Sequence, residues 1–263
     1  MLKKLMKYDL QYIFKFLIIF YSLAVFFGLL TRIFFSFENS FVLEILGEIT
    51  TGATISMMCS TLINNLMRMW VRFKHNFYGD ESYLTHTLPI EKHTHYFSKI
   101  LTSVITLFTS IAVIGSVLAL AYYSKENLQL VKNMLLPVAE AYDTSIIGVL
   151  VAFLFIVFLQ FLNILQCGFT GIILGHKMNN AKTGLSVLFG FITYGISQTF
   201  AVVVVFIVAL FNEKYMNLFA TTTTVDIATL KTVIILAIAI YAVLTVIICF
   251  INIHLFKKGV NVD

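Results

Sequence analysis

Charged side chains are missing from six long stretches of this chain. Phe16–Thr31, Ile49–Met67, Ile100–Ser124, Thr144–Gly175, Thr183–Asn212 and Thr232–Phe256 contain no Asp, Glu, Lys or Arg. A helix that crosses the hydrocarbon of a bilayer needs about 20 apolar residues. Five runs approach or exceed that length, and the first does so once Lys15 snorkels to the headgroups. The pattern predicts an all-α membrane protein with six transmembrane helices at about 15–35, 46–70, 100–123, 144–175, 184–211 and 231–256, forming a single transmembrane domain over 1–263. No small-residue cleavage site follows the first run, so it reads as a retained span and not a signal peptide. Thr144–Gly175 is longer than one crossing requires, which predicts a tilted or extended helix.

Composition agrees with the pattern. Hydrophobic residues make up 59% and charged residues 12% of the chain, where soluble domains carry about 25% charged residues. The net charge of +5 is distributed unevenly. With the N-terminus inside, the inner segments hold Lys3, Lys4, Lys7, Lys15, Arg68, Arg72, Lys74, Lys92, Lys99, Lys177, Lys182, Lys257 and Lys258, which is 13 of the 18 basic residues. That bias predicts two cytoplasmic termini and accounts for the charge without nucleic acid as a partner. The opening 1–14 is basic and amphipathic, and reads as an interfacial helix on the inner leaflet. The outer connections are short; 125–143 and 213–231 are apolar enough for small helices at the outer surface.

Catalytic motifs are absent from the spans. Gly175–Gly184 contains Lys182-Thr183, but Ala181 stands where a phosphate-binding loop needs glycine, and no strand precedes it. Cys59, Cys167 and Cys249 lie in apolar runs without metal spacing and read as core residues. His75, His86, His93 and His95 cluster near Glu81 and Glu91, yet an HxH pair on a helix points its rings apart, so these read as solvated histidines and no metal site is expected. The spans contain amides instead. Asn64, Asn65, Gln160, Asn163, Gln166 and Gln198 are candidates for a translocation path or subunit seam, with interhelical hydrogen bonding as the competing reading. Gly171 and Gly175 form a GxxxG that predicts close helix packing.

The inner segment 71–99 concentrates the polar chemistry. Gly79 breaks the helix leaving span two, Asp80, Glu81 and Ser82 offer capping groups, and Pro89 stops a short helix through Tyr83–Leu88. Such a helix, with Tyr83, Leu84 and Leu88 as apolar anchors, has the make-up of a docking element. Tyr83, Leu84, Thr85, Thr87, Leu88, Pro89, Ser98 and Lys99 resemble the segment between spans two and three of ABC-2-type transporter permeases of Gram-positive bacteria. The six-span plan and amphipathic N-terminus are similar as well. The resemblance implies a coupling helix in which Asp80, Glu81, Tyr83, Leu84, Thr85, Thr87, Leu88 and Pro89 dock on a separate ABC ATPase. It further implies two copies of that ATPase, a second permease subunit, and ATP and Mg bound by the partner, with no cofactor on this chain.

The expected protein is therefore the permease subunit of an ABC exporter in a bacterial plasma membrane. It is not itself an enzyme, and it moves a hydrophobic or amphipathic substrate such as a toxin, bacteriocin or antimicrobial peptide. A stand-alone carrier or channel for an apolar solute is the alternative; a carrier would need a coupling ion, and the spans hold no carboxylate to bind one. A membrane-embedded enzyme would need acids or histidines converging within the bilayer, and His176 and His254 at helix ends do not supply them.

Overall fold

The computed structural model describes residues 2–37, 41–141, 143–178, 180–211 and 227–257, and all its regular structure is helical. The elements are α1 (Leu2–Phe35), α2 (Phe41–Tyr78), α3 (Ser82–Thr87), α4 (Lys92–Tyr122), α5 (Lys125–Ala141), α6 (Ile146–Gly175), α7 (Lys182–Leu210) and α8 (Ile227–Lys257). Six are long and apolar enough to cross a membrane: α1, α2, α4, α6, α7 and the Val233–Lys257 part of α8. Each covers all or most of one of the uncharged runs. The helix foreseen in the 125–143 connection is present as α5, whereas its counterpart within 213–231 falls largely outside the described residues.

The opening segment is not set off from the first span. α1 runs unbroken from Leu2 for 34 residues, about 50 Å of helix. Its buried positions, Asp9, Ile13, Leu17, Ala24, Gly28 and Thr31, recur at helical spacing and make a single stripe along both the basic and the apolar parts. One continuous face is therefore packed against neighbours, which a separate helix lying on a leaflet would not provide.

The chain divides into two compact units, Met1–Leu128 and Gln129–Asp263. In the first, α1 packs against both α2 and α4. Ala24, Met58 and Val117 form a core where the three helices meet, and Gly28 admits the Val117 side chain at 3.0 Å from where a Cβ would stand. A buried Thr31–Thr54 hydroxyl pair at 3.0 Å joins α1 to α2 beyond that core. Arg32 closes the same end by donating to the carbonyl of Tyr123.

In the second unit α6 packs against α7 and α8. The GxxxG glycines are the reason α7 comes so close. A Cβ on Gly171 would fall 2.7 Å from the Gly190 Cα, and one on Gly175 would fall 2.6 Å from the Ser186 Cα. Only hydrogen fits at these two positions. Ala201, Ile240 and Leu244 supply an apolar core between α7 and α8.

Candidate functional site

The segment from Gly79 to Glu91 folds as the residue types dictate. α2 ends at Tyr78, the Gly79 amide donates to the Lys74 carbonyl at 3.2 Å, and the Ser82 amide donates to the Gly79 carbonyl at 2.9 Å. α3 then makes one and a half turns before Leu88 goes extended (φ −66°, ψ 134°), the conformation that Pro89 imposes on the residue before it. α4 begins at Lys92.

The capping expectation needs correction. Glu81 occupies the N-cap position of α3, but neither its side chain nor that of Asp80 caps the helix. Asp80 is exposed, and the Glu81 carboxylate reaches back to α2, accepting from Arg72 Nη1 at 2.9 and 3.0 Å. A guanidinium offers a carboxylate two oriented donors and a full charge, more than the partial charge at the start of a six-residue helix.

Arg72 in turn donates through Nε to Asp9 Oδ1 at 3.0 Å, and Lys99 Nζ donates to both Asp9 oxygens at 2.7 Å. Asp9 and Lys99 are each only 3% exposed. A chain of four charges thus runs from α3 (Glu81) through α2 (Arg72) and α1 (Asp9) to α4 (Lys99). Two acids answer two bases, which is the condition under which charges survive burial. The ring of Tyr12 lies under the Arg72 guanidinium at 4.6 Å, and Phe77 faces the Lys99 ammonium at 5.6 Å. Sequence reasoning passed over Asp9. Its signal was a lone acid on the stripe shared by Ile13 and Leu17, among lysines on the other faces.

This cluster holds one face of α3 against the first unit. Ser82 and Thr85 are buried, and Thr85 Oγ1 donates to the Glu81 carbonyl. On the opposite face Tyr83 and Leu84 are 68% and 73% exposed, with Thr87, Leu88 and Pro89 exposed beside them. The histidines do not share one environment. His75 and His86 are exposed and His93 pairs with Glu91 at 3.0 Å, but His95, expected to be solvated, is buried edge-on against Phe77. Its spacing from Tyr96 and Lys99 places it on the inward face of α4. Among the described residues no group of three His, Cys, Asp or Glu side chains is arranged to hold a metal ion.

Of the six candidate amides of the spans, Asn65, Asn163 and Gln198 form interhelical hydrogen bonds through their side chains. Asn65 is fully buried, donates to Ser110 Oγ at 2.8 Å and accepts from Thr106 at 3.1 Å, while Tyr21 meets the same Ser110 at 2.8 Å, so α1, α2 and α4 share one polar knot. Asn64 donates to the Ser60 carbonyl of its own helix. In the second unit Asn163 accepts from Ser197 at 3.1 Å, Gln198 accepts from Tyr241 at 2.8 Å, and Asn252 donates to the Gln166 carbonyl at 3.1 Å. Gln160 is half-buried, and Asn163 Nδ2 and Gln166 Oε1 are buried without a hydrogen-bond partner among the described residues.

Six membrane-crossing helices with buried polar knots define a multi-pass membrane protein. No family model, curated protein or solved structure matches the chain.

Proposed function

We propose that this protein is the membrane-spanning subunit of an ATP-driven exporter of the ABC-2 type, with α3 as the element that meets the ATPase. The observation that carries the reading is the two-sided character of α3. One face is fixed through Glu81 and Arg72, and the other offers Tyr83, Leu84 and Leu88 to a partner. A helix anchored by ions and presenting bare apolar side chains suits a groove on another protein. The chain itself binds no nucleotide; ATP and Mg belong to two copies of the partner ATPase, and a second permease subunit completes the path. Movement of α3 reaches α1, α2 and α4 through the Glu81–Arg72–Asp9–Lys99 chain. The uncharged, Phe-rich spans suit a hydrophobic or amphipathic cargo, of which a peptide toxin or antimicrobial leaving a bacterial cell is the favoured example. Basic residues at the α3 end support a cytoplasmic position for it.

The test uses the full chain purified together with its ATPase and reconstituted in vesicles without an ion gradient. Transport should require ATP hydrolysis. Leu84→Asp combined with Leu88→Asp should release the ATPase and abolish transport while the helices remain folded by circular dichroism. Retention of a fully coupled ATPase by that double variant would overturn the docking role of α3.

A further inference from the structure

Arg68 lies one helical turn before Arg72 on α2, and both arginines meet α1 in the same antiparallel register. Arg72 sits over Tyr12, and Arg68 sits over Phe16, 3.7 Å from the ring centroid. Their charges are answered differently. Arg72 and Lys99 share Asp9 and Glu81, so that set is neutral and closed. Arg68 is the surplus cation: among the described residues no carboxylate lies within ion-pair distance of it, and its guanidinium rests on the Phe16 ring. Arg68 is half-buried; an aromatic ring closes one flat face of its guanidinium, while its N–H groups, which require acceptors, have no hydrogen-bond partner among the described residues.

Its depth indicates where an acceptor would come from. Arg68 is the first charge after Ile49–Met67, 19 uncharged residues, or about 29 Å of helix, close to the roughly 30 Å of a bilayer's hydrocarbon. On α1, Lys15 is the last charge before the uncharged run, and on α4 the same is true of Lys99. Arg68 and Lys15, brought to the same level by the packing of Arg68 on Phe16, mark one edge of the hydrocarbon, next to the level of the lipid phosphates, and Lys99 lies about a turn further out beside Asp9. Lys15, next to Phe16 along α1, is exposed.

We infer that Arg68, backed by Phe16 and flanked by Lys15, binds the phosphate of an anionic lipid. Planar guanidinium edges match phosphate oxygens in a bidentate fashion, and the headgroup's negative charge supplies the counter-ion that the described residues do not. The inference does not depend on the exporter reading, since it concerns only α1, α2 and the bilayer edge.

Native mass spectrometry of the full chain in mild detergent tests it, with phosphatidylglycerol, phosphatidylcholine and inorganic phosphate as probes. The first phosphatidylglycerol should bind about tenfold more weakly to Arg68→Gln. Arg68→Lys should fall between the two because it keeps the charge and loses the fork, and Lys257→Gln should bind as the parent does. Equal binding by the parent and Arg68→Gln, or phosphatidylcholine held as tightly as phosphatidylglycerol, would overturn the site. Displacement of the lipid by millimolar inorganic phosphate would reassign it to a free anion and overturn the lipid assignment. Should Arg68→Gln fail to fold by circular dichroism, the comparison of Arg68→Lys with the parent decides the question.

Discussion

A carboxylate on the packed stripe of a membrane-protein helix persists only when its charge is answered, and Asp9 is answered twice. Lys99 and Arg72 both donate to it, and each is itself largely withdrawn from water. Removing the acid leaves Lys99 as a buried charge without compensation, a defect that costs about 3–5 kcal/mol in comparable sites. Asp9→Asn should therefore lower the thermal unfolding midpoint substantially. Asp9→Leu combined with Lys99→Met should recover most of the loss, because the pair is then replaced by apolar groups of similar size. An unchanged midpoint in Asp9→Asn would show that the ion pair contributes nothing to the fold. The same logic separates Arg72, which is paired with two carboxylates, from Arg68 one turn away, which has none among the described residues.

Between elements, the separation of helices is set by what stands at their crossings. α6 and α7 approach so closely because Gly171 and Gly175 put backbone against Ser186 and Gly190. Gly175→Ala forces a methyl group into the Ser186 backbone, which cannot swing aside as a side chain can. Overpacking of this kind costs about 1–3 kcal/mol. Gly195→Ala, on α7 where a Cβ would meet nothing within 4 Å, should be tolerated or slightly stabilising, since alanine is the better helix former. Thermal unfolding of the two variants in one detergent distinguishes them, and equal stability would mean that the α6–α7 contact yields freely. The GxxxG pattern was readable in the sequence as a packing motif. That its partner is α7, and that Gly168 faces Gly190 nearby, required the fold.

At the scale of the whole chain, the six proposed crossings would put the beginning of α1 and the end of α8 on the same side of the membrane, the cytoplasmic side by the lysine and arginine bias. Cysteines introduced at Lys3 and Lys257, with Cys59, Cys167 and Cys249 replaced by alanine, should both react with an impermeant maleimide only from that side. Labelling of the two positions from opposite sides would require an odd number of crossings. Hydropathy determined the helical class and the six spans, and Gly79 and Pro89 the short helix between them, because bilayer thickness and proline sterics act locally, on runs of neighbouring residues. It also marked Tyr83, Leu84 and Leu88 as apolar positions in a polar segment. Sequence could not assign Glu81 to Arg72 rather than to the cap of α3, withdraw His95 from water, or bring Asp9 to Lys99, 90 positions away. Those outcomes depend on which helix faces which. Facing is decided by tertiary packing, where a charge takes the strongest partner within reach whatever its distance along the chain.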